Sequence, residues 1–402
     1  MTKGFEIDRR GTLAGLAAMS LAACGGGGQS GPGASPPVSA PPPPPGPVGL
    51  PQPGLNTLAV PGSRKFGTAI ASAPGRSEAA SVQNSRYTDI VKSECGIVVP
   101  ENEMKWQAVR PSADAYDFGR MDEIVAWAQA NSVAVRGHTL LWHRPQWFPA
   151  WLNTYDFGAN PVAEAERILT EHIRTVTRRY RGVISSYDVV NEAIDHDRNA
   201  TIETSLSRAM GSPEAVLDLA FRTAREELPD GQLVYNDYMS WEPAHRAHCD
   251  DVLRLLEGFR KRGTPVDALG IQSHIEMFSI DPATGVGPYA EREWRQFLDE
   301  VTGMGYRLLI TEFDVKDKAL PADIAIRDQK VAEFTRRYFD LMLEYGDHLD
   351  DILAWGMVDK FNWLQGFDPA KRPDGLEVRG TPYDSDYRPK PMRDAIAASL
   401  TA

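Results

Sequence analysis

The sequence predicts a single (β/α)8 barrel, and three features favour that fold. Eight short runs of apolar and β-branched residues alternate with longer stretches of helical periodicity. Polar, ionisable and aromatic residues follow seven of the eight runs. The composition suits a large buried core, because 42% of the 402 residues are hydrophobic and 24% are charged.

The runs and the periodic stretches between them set the order of the predicted elements. The runs occupy residues 66–70, 96–99, 133–136, 185–190, 232–235, 268–271, 307–310 and 351–354. Apolar residues recur at helical spacing over 163–180 and 215–228, which predicts amphipathic helices there. A doubly wound sheet is the alternative architecture, but no Gly-x-Gly-x-x-Gly follows any run.

Charge and cysteine content disfavour several classes of protein. With 55 acidic and 43 basic residues the formal net charge is −12, which disfavours binding to nucleic acid or, by charge, to anionic lipid. Three cysteines in so long a chain exclude a disulfide-stapled scaffold and a Cys-rich zinc module. The sequence has no uninterrupted apolar run of about 18 residues, the length that predicts a membrane-spanning helix.

Residues 1–23 have the features of an export signal, with a basic start and a mildly apolar segment that ends in small residues. The pair Arg9 and Arg10 resembles a twin-arginine signal, although Thr12 stands where a bulky apolar residue is usual. The sequence Leu-Ala-Ala-Cys resembles a bacterial lipobox, which predicts lipidation of Cys24. The alternative is a plain cleaved signal with an incidental cysteine. We therefore expect an exported protein, periplasmic or at the cell surface, that reaches a bacterial membrane only through this lipid.

Residues 24–54 are predicted to form a disordered linker. Eleven of them are Pro and nine are Gly, a composition that cannot bury enough apolar surface to fold. The five prolines at 41–45 should be extended as polyproline II. A passive spacer before the domain at 55–402 is favoured over a ligand for Pro-recognising domains.

Two glutamates stand directly at the ends of apolar runs. Glu192 follows the fourth run and Glu312 follows the seventh. Either carboxylate alone would be explained by a salt bridge at a strand end. In a closed barrel, however, the carboxyl ends of these two strands face each other across the rim that carries the active site of barrel enzymes. Paired carboxylates, one protonated and one ionised, are the groups that glycoside hydrolysis uses.

Other chemistries lack their motifs. His138 and His143 are five residues apart, so on a regular strand they point to opposite faces. The sequence has no His-Glu-x-x-His, no Gly-x-Ser-x-Gly and no Gly-rich phosphate loop before a helix. We expect neither a catalytic metal nor another cofactor.

Aromatic and polar residues near the ends of the runs favour a sugar substrate, because indole faces pack on the C–H faces of pyranose rings. The aromatic residues are Trp106, Trp142, Trp147, Trp151, Tyr238, Trp355 and Trp363, whereas Trp127 lies inside a helical pattern and is assigned to the core. The polar residues that suit sugar hydroxyls are Glu101, Asn102, Lys105, Asn191 and Gln272.

Five segments resemble the motifs of family 10 glycoside hydrolases, the endo-β-1,4-xylanases. They are residues 100–106 (PENEMKW), 136–143 (RGHTLLWH), 187–193 (YDVVNEA), 235–238 (YNDY) and 310–314 (ITEFD). The resemblance spans roughly residues 60–398. It implies hydrolysis of xylan and xylo-oligosaccharides with retention of anomeric configuration, and we expect a monomer.

The resemblance also implies a role for each matching residue. Glu192 corresponds to the general acid/base and Glu312 to the nucleophile, and in retaining enzymes such carboxyl groups lie about 5–5.5 Å apart. By the same analogy His274 holds Glu312 ionised, Asp314 fixes the imidazole, and Asn191 donates to the 2-hydroxyl of the reacting xylose. The other predicted substrate-binding residues are Glu101, Asn102, Lys105, His138, Trp142, Asn236, Tyr238, Gln272, Trp355 and Trp363.

One loop departs from the family pattern. After the Trp-His of the third run the family has a polar residue and then Gln, whereas this chain reads Arg144-Pro145-Gln146. Gln146 is therefore left out of the predicted site, and the loop is given no role. Cys95 and Cys249 match no family role, and we expect buried free thiols.

Two other functions are considered. One is a barrel glycosidase of different specificity, such as a β-1,4-glucanase. Trp355 and Trp363 resemble a lid that leaves little room for the hydroxymethyl group of glucose, although such exclusion is worth only about 1–3 kcal/mol. The other is a catalytically inactive, lipid-tethered sugar-binding protein, which is disfavoured because both carboxylates and His274 are present.

Lipidation of Cys24 predicts a mature protein whose first residue is an acylated cysteine. Mass spectrometry of protein from a bacterial host that processes lipoproteins should find residue 24 at the N-terminus with the added mass of a diacylglycerol. Cys24→Ala should abolish both the added mass and membrane association. An unmodified wild-type N-terminus beyond residue 24 would show that the cysteine is incidental.

Overall fold

The computed structural model describes residues 49–195, 198, 200–277 and 289–402. The predicted export signal, Cys24 and most of the predicted linker lie outside these residues. Among the helices that are described, none is long and apolar enough to cross a membrane.

Eight parallel strands close into a barrel. They are β1 (Phe66–Ile70), β2 (Ile97–Pro100), β3 (Ala134–Trp142), β4 (Ile184–Asn191), β5 (Gln232–Asp237), β6 (Ala268–Ile271), β7 (Arg307–Lys316) and β8 (Leu349–Ala354). Each strand pairs with the next along the chain. β8 also pairs with β1, where Phe66 lies opposite Ile352. Because the sheet closes on itself, the predicted (β/α)8 barrel is confirmed and the doubly wound sheet is excluded.

Helices cover the outside of the barrel. They are α1 (Leu55–Ala59), α2 (Ser85–Glu94), α3 (Trp106–Val109), α4 (Gly119–Ala130), α5 (Ala150–Asn153), α6 (Pro161–Arg179), α7 (Ser205–Met210), α8 (Pro213–Glu227), α9 (Arg246–Arg262), α10 (Glu291–Gly303), α11 (Ile324–Leu343) and α12 (Pro391–Leu400). The two helices predicted from periodicity, α6 and α8, lie within two residues of their predicted bounds. α8 begins at a local signal, since the Ser212 hydroxyl accepts a hydrogen bond from the Ala215 N–H (3.1 Å) and Pro213 occupies the first turn.

β3 and β7 are longer than the apolar runs that predicted them. The runs end at residues 136 and 310, whereas the strands continue to Trp142 and Lys316. Two register shifts interrupt the pairing of β3 with β4, and two more interrupt the pairing of β7 with β8. Such irregularities let a strand change which side chains face the interior while it remains in the sheet. The polar motif residues of β3 and β7 are therefore held by strand hydrogen bonds and not by loops.

A buried apolar cluster fills the barrel beneath its carboxyl-terminal end. Val234, Ala268 and Leu309 form this cluster on β5, β6 and β7. Side chains two residues apart on a strand share a face, so Asn236 lies above Val234 and Thr311 lies above Leu309. The Thr311 hydroxyl donates a hydrogen bond to Asn236 Oδ1 (2.6 Å). The apolar layer thus supports a polar layer at the open end of the barrel.

A buried carboxylate ties the first helices of the domain to the last. Glu94, at the end of α2, accepts hydrogen bonds from the Leu55 N–H (2.7 Å) and from Nε and Nη2 of Arg393 (3.0 and 3.2 Å). The Tyr383 hydroxyl donates to the same carboxylate. Because Glu94 is fully buried, its charge depends on these partners for compensation.

Arg393→Ala should lower the free energy of unfolding by about 3–5 kcal/mol, because it leaves the Glu94 charge buried without its cationic partner. Urea titration followed by circular dichroism measures the change. Arg120→Ala, at an exposed position of α4, is the matched control and should change the free energy by less than about 0.5 kcal/mol. A loss below about 1 kcal/mol at Arg393 would contradict the structural importance of this ion pair.

Candidate active site

The side chains that the sequence singled out meet at the carboxyl-terminal end of the barrel. A single hydrogen-bonded set contains Asn191, Glu192, Asn236, Gln272, His274, Glu312 and Asp314. These residues come from β4 and the residue after it, from β5 and β7, from the residues after β6, and from a short strand, His274–Glu276, that pairs with β7. The structure therefore brings both predicted carboxylates and their predicted support into one place.

Glu312 lies in β7 with its carboxylate facing the barrel interior, and only 6% of its surface is exposed. Its Oε1 accepts a hydrogen bond from Asn236 Nδ2 (2.8 Å) and its Oε2 lies 3.2 Å from His274 Nε2. Burial alone would raise the pKa of Glu312. The hydrogen bond from His274 and the electrostatic influence of His138 outweigh burial and hold this pKa below its ordinary value.

His274 is fixed from both sides by carboxylates. Its Nδ1 donates to Asp314 Oδ1 (2.9 Å), and Trp363 Nε1 donates to the other oxygen of Asp314 (2.7 Å). Burial lowers the pKa of His274, but the charge of Asp314 and the hydrogen bonds to Asp314 and Glu312 raise it to about 9. The imidazole is therefore cationic at neutral pH, and it stabilises the ionised form of Glu312.

Glu192 follows β4 in the left-handed region (φ 49°), which is uncommon for a residue other than glycine. Its Oε1 accepts a hydrogen bond from Gln272 Nε2 (2.9 Å), and its Oε2 accepts one from Trp142 Nε1 (3.1 Å). Burial raises the pKa of Glu192, and the negative charges of Asp237 and Glu312 raise it further. Arg144 and Gln272 act in the opposite direction without cancelling the rise.

A chain of amides connects the two carboxylates. Asn191 Oδ1 accepts from Asn236 Nδ2 (2.9 Å) and from Gln272 Nε2 (3.4 Å), and those two amides donate to Glu312 and Glu192 respectively. Room for this chain comes from Gly270 on β6, since a Cβ there would lie 2.4 Å from Asn236 Oδ1. The arrangement holds a carboxyl group inclined to keep its proton beside one inclined to lose it, as general acid catalysis and nucleophilic attack require.

The sequence profile of Glycosyl hydrolase family 10 matches residues 54–399. The chain belongs to glycosyl hydrolase family 10. The resemblance predicted from the five motifs is therefore confirmed, and the protein is a glycoside hydrolase.

Curated and solved members of family 10 align over most of the chain. Endo-1,4-beta-xylanase B of Thermotoga neapolitana is 31% identical over 311 residues, which are 77% of this chain and 82% of that protein. The crystal structure of native xylanase 10B from Thermotoga maritima is 30% identical, has a TM-score of 0.73, and is matched over 86% of this chain and 98% of its own. Xylanase 10B from Thermotoga petrophila RKU-1 in complex with xylobiose is 29% identical, with a TM-score of 0.73 and coverage of 88% and 98%.

Further predicted residues of the family 10 site line the cleft on the β2 and β3 side. Lys105 is buried, its Nζ donates to Asn102 Oδ1 (2.9 Å), and it lies 4.8 Å from the centre of the Trp142 ring. Burial lowers the pKa of Lys105, and the charges of Glu312, Glu101 and Glu192 oppose that change. The Lys105 ammonium group is therefore placed among the acidic residues of the cleft.

His138 in β3 and the aromatic residues Trp355 and Trp363 also belong to the site. His138 Nδ1 bonds Asp188 Oδ2 (2.9 Å), and Asp188 is also paired with Arg136. The ring of Trp355 lies 5.4 Å from His138, and the ring of Trp363 lies 4.9 Å from His274. The two indoles thus stand beside the residues that surround Glu312.

Some aromatic residues that were expected near the substrate do not lie there. Trp106 is only 2% exposed and stacks on His172 at 4.0 Å, so it is a core residue. Trp151 packs against the same core and donates its Nε1–H to the Arg110 carbonyl (3.0 Å). Trp147, by contrast, is 37% exposed and stacks on Trp142 at 4.3 Å. Position in the sequence did not distinguish the buried Trp106 and Trp151 from the exposed Trp147, because the strand ends and the following helices are close together in this part of the sequence.

Arg144 is a site residue to which the sequence analysis assigned no role. Its Nε lies 3.1 Å from Glu192 Oε2, and its guanidinium lies 5.6 Å from the centre of the Tyr238 ring. Tyr238 in turn stacks on His248 at 4.4 Å. Only the departure from the family pattern at this loop could have drawn attention to Arg144 in the sequence. That departure marked the position as unusual but did not indicate which residue Arg144 contacts.

Three other ionisable residues named in the sequence analysis, His143, Cys95 and Cys249, are buried outside the hydrogen-bonded set of the site. His143 is buried, and its Nε2 bonds the Ile202 carbonyl (2.9 Å). Cys95 and Cys249 are buried free thiols, as predicted. Within residues 49–195, 200–277 and 289–402, no three His, Cys, Asp or Glu side chains are grouped as ligands for a metal.

The raised pKa of His274 predicts a pH-dependent contribution to stability. A group whose folded pKa is raised stabilises fully below its unfolded pKa, about 6.5 for His. The contribution disappears as the pH rises through about 9. The difference in unfolding free energy between wild type and His274→Gln should therefore be up to about 3 kcal/mol larger at pH 6 than at pH 10.

Urea titrations across that pH range measure this difference, with the exposed His348→Gln as control. A difference that does not change with pH would contradict the cationic assignment.

Proposed function

We propose that this chain is an endo-1,4-β-xylanase that cleaves internal β-1,4-xylosidic bonds of xylan with retention of configuration. One observation carries the proposal: two carboxylates in one buried hydrogen-bonded set have pKa values displaced in opposite directions, with that of Glu192 raised and that of Glu312 lowered. This difference matches an acid and a nucleophile. The relatives are named as xylanases, and the Thermotoga petrophila enzyme was solved with xylobiose, which supports xylan as the substrate.

The first step forms a covalent xylosyl-enzyme. The ionised carboxylate of Glu312 attacks the anomeric carbon, and a C–O ester bond forms while the glycosidic C–O bond breaks. The proton of Glu192 moves to the departing oxygen, which leaves as a sugar hydroxyl. His274 keeps Glu312 ionised before attack, which is the form that the nucleophile needs.

The second step releases the sugar. Loss of the Glu312 charge removes one of the influences that raise the pKa of Glu192, so the ionised form of Glu192 becomes more favourable. Glu192 then accepts a proton from a water that attacks the anomeric carbon, the ester bond breaks, and the carboxylate of Glu312 is restored. Two inversions give net retention.

The amide chain positions the reacting sugar. Asn191 uses its oxygen to accept from Asn236 and Gln272, which orients its amide so that Nδ2 is the atom that donates to a sugar hydroxyl. We assign this bond to the 2-hydroxyl of the reacting xylose, where it strengthens as positive charge develops.

Other residues of the cleft bind the flanking sugars. Lys105 and His138 lie near the same sugar on their side of the cleft. We assign the predicted ligands Glu101 and Asn102 to the next sugar outward.

The indoles support preference for xylose. Trp355 is held at the end of β8 against a small buried cluster with Ala69, Ile97 and Val99, and Trp363 is fixed by its bond to Asp314. Two fixed rings beside the nucleophile restrict the space for a hydroxymethyl substituent, which is the difference between glucose and xylose. This restriction favours a xylanase over a β-1,4-glucanase.

The N-terminal segment supports export as part of the same proposal. An enzyme that degrades a polymeric substrate has to meet it outside the cytoplasm. The predicted signal, lipidation of Cys24 and linker would tether the catalytic domain to a membrane at the site of that substrate. We propose that the tethered enzyme acts as a monomer.

Substrate preference and the nucleophile are tested together. Wild type should release reducing sugar from xylan and much less from carboxymethylcellulose. Glu312→Ala should lose at least about 10⁴-fold in kcat, because the covalent route is removed, yet still bind xylo-oligosaccharide in calorimetry. The surface variant Glu333→Ala on α11 is the control and should keep wild-type turnover. Preference for carboxymethylcellulose would defeat the specificity proposed here, and near-native turnover of Glu312→Ala would defeat the nucleophile.

A further inference from the structure

We propose that Arg144 is a positioning residue for Glu192 that fixes the acid/base carboxylate and favours its ionised form in both steps of the reaction. The inference rests on the proposed function of Glu192 and deepens it. It concerns the Arg-Pro-Gln loop after β3, where the chain departs from the family pattern.

The guanidinium of Arg144 clamps the turn that carries Glu192. Its Nε donates to the Glu192 carbonyl (3.1 Å) and its Nη2 donates to the Ile194 carbonyl (3.0 Å). These two carbonyls lie in the residues that leave β4, where Glu192 itself has a left-handed backbone. The planar fork of arginine suits two fixed acceptors, which a lysine cannot satisfy in the same way.

The same guanidinium reaches the carboxylate. Nε lies 3.1 Å from Glu192 Oε2, the oxygen that also accepts from Trp142. The ring centre of Tyr238 lies 5.6 Å from the same guanidinium. The Arg144 side chain is only 19% exposed, so solvent screens this interaction less than it would a surface ion pair.

Other charged and polar groups face Glu192 from the neighbouring elements that the structure describes. They are Lys105 beyond β2, Trp142 in β3, Asp237 and Tyr238 at the end of β5, Gln272 after β6 and Glu312 in β7. Asp237 and Glu312 oppose ionisation of Glu192, whereas Arg144 favours it. Arg144 therefore offsets the negative charges of Asp237 and Glu312. In this way it sets the pH at which Glu192 changes between its protonated and ionised forms.

This balance matters differently in the two steps. In the first step Glu192 must be protonated, so its loss of a proton defines the alkaline limb of kcat/KM. In the second step Glu192 must be ionised, so its gain of a proton defines the acid limb of kcat when release of the covalent sugar limits turnover. Removing the Arg144 charge should move both limbs to higher pH.

The test compares Arg144→Gln and Arg144→Lys with wild type on two aryl β-xylobiosides. Phenyl xylobioside needs the acid and reports kcat/KM for the first step, and 2,4-dinitrophenyl xylobioside makes the second step limiting. Arg144→Gln should move both limbs up by about one pH unit, because a cation within contact distance of a carboxylate lowers its pKa by about one to three units. Arg144→Lys keeps the charge and should leave both limbs within a few tenths of a unit. Arg120→Gln on α4 is the exposed control and should match wild type.

The outcomes separate this inference from the function on which it rests. Unmoved limbs in Arg144→Gln, with wild type active on xylan, would overturn the role of Arg144 and leave the xylanase assignment intact. Equal loss of rate at every pH in both variants would also overturn it, since that is the signature of a merely structural residue. Both variants keep one side-chain hydrogen-bond donor but lose the arginine fork equally, and thermal unfolding verifies that each is folded. Failure of wild type to hydrolyse either xylobioside would contradict the proposed function itself.

Discussion

The ion pair between His274 and Glu312 sets the charge state of the cleft. A carboxylate that is buried beneath the open end of a barrel would ordinarily keep its proton, because burial disfavours the charged form. The cationic imidazole reverses that preference at Glu312, and Asp314 keeps the imidazole cationic. Once Glu312 is ionised, its negative charge helps Glu192 to keep a proton. The ionised nucleophile thus follows from one buried cation, and the raised pKa of Glu192 follows from burial together with the charges of Asp237 and Glu312.

The strands of the barrel hold Glu312, His274 and Asp314 in fixed positions. Glu312 and Asp314 are two residues apart in β7, and the short strand that carries His274 pairs with β7 opposite Asp314. The hydrogen-bonded triplet of Glu312, His274 and Asp314 is therefore built on strand hydrogen bonds, which are more rigid than loops. Asn236 and Gln272 extend the same support across the mouth to Glu192. The apolar layer of Val234, Ala268 and Leu309 lies beneath these polar groups.

Much of this could be predicted from the sequence, because barrel strands are short apolar runs with chemistry concentrated after them. Glu192 and Glu312 follow such runs directly, and the motifs around them identify the family. The prediction ended β3 and β7 too early, since a run that turns polar was assumed to leave the sheet, whereas irregular pairing keeps it there. Trp106 was grouped with the aromatic residues near the strand ends, yet it stacks in the core.

Arg144 could not have been predicted by the same reasoning. Its partners, Glu192 and the Ile194 carbonyl, lie 48 and 50 residues further along the chain, and only the pairing of β3 with β4 brings them together. A change from the family pattern shows that a position differs, but the consequence depends on which side chain the new residue reaches. Contacts between strand ends are the part of a barrel site that a linear pattern does not specify.

The stereochemistry of the first product tests the paired carboxylates most directly. Proton NMR during hydrolysis of a xylo-oligosaccharide, at times shorter than mutarotation, distinguishes the anomers of the newly released reducing end. Attack by Glu312 followed by water at the same carbon predicts that the β-anomer is released first. Initial appearance of the α-anomer would mean direct displacement by water, with no covalent bond to Glu312, and would contradict the account.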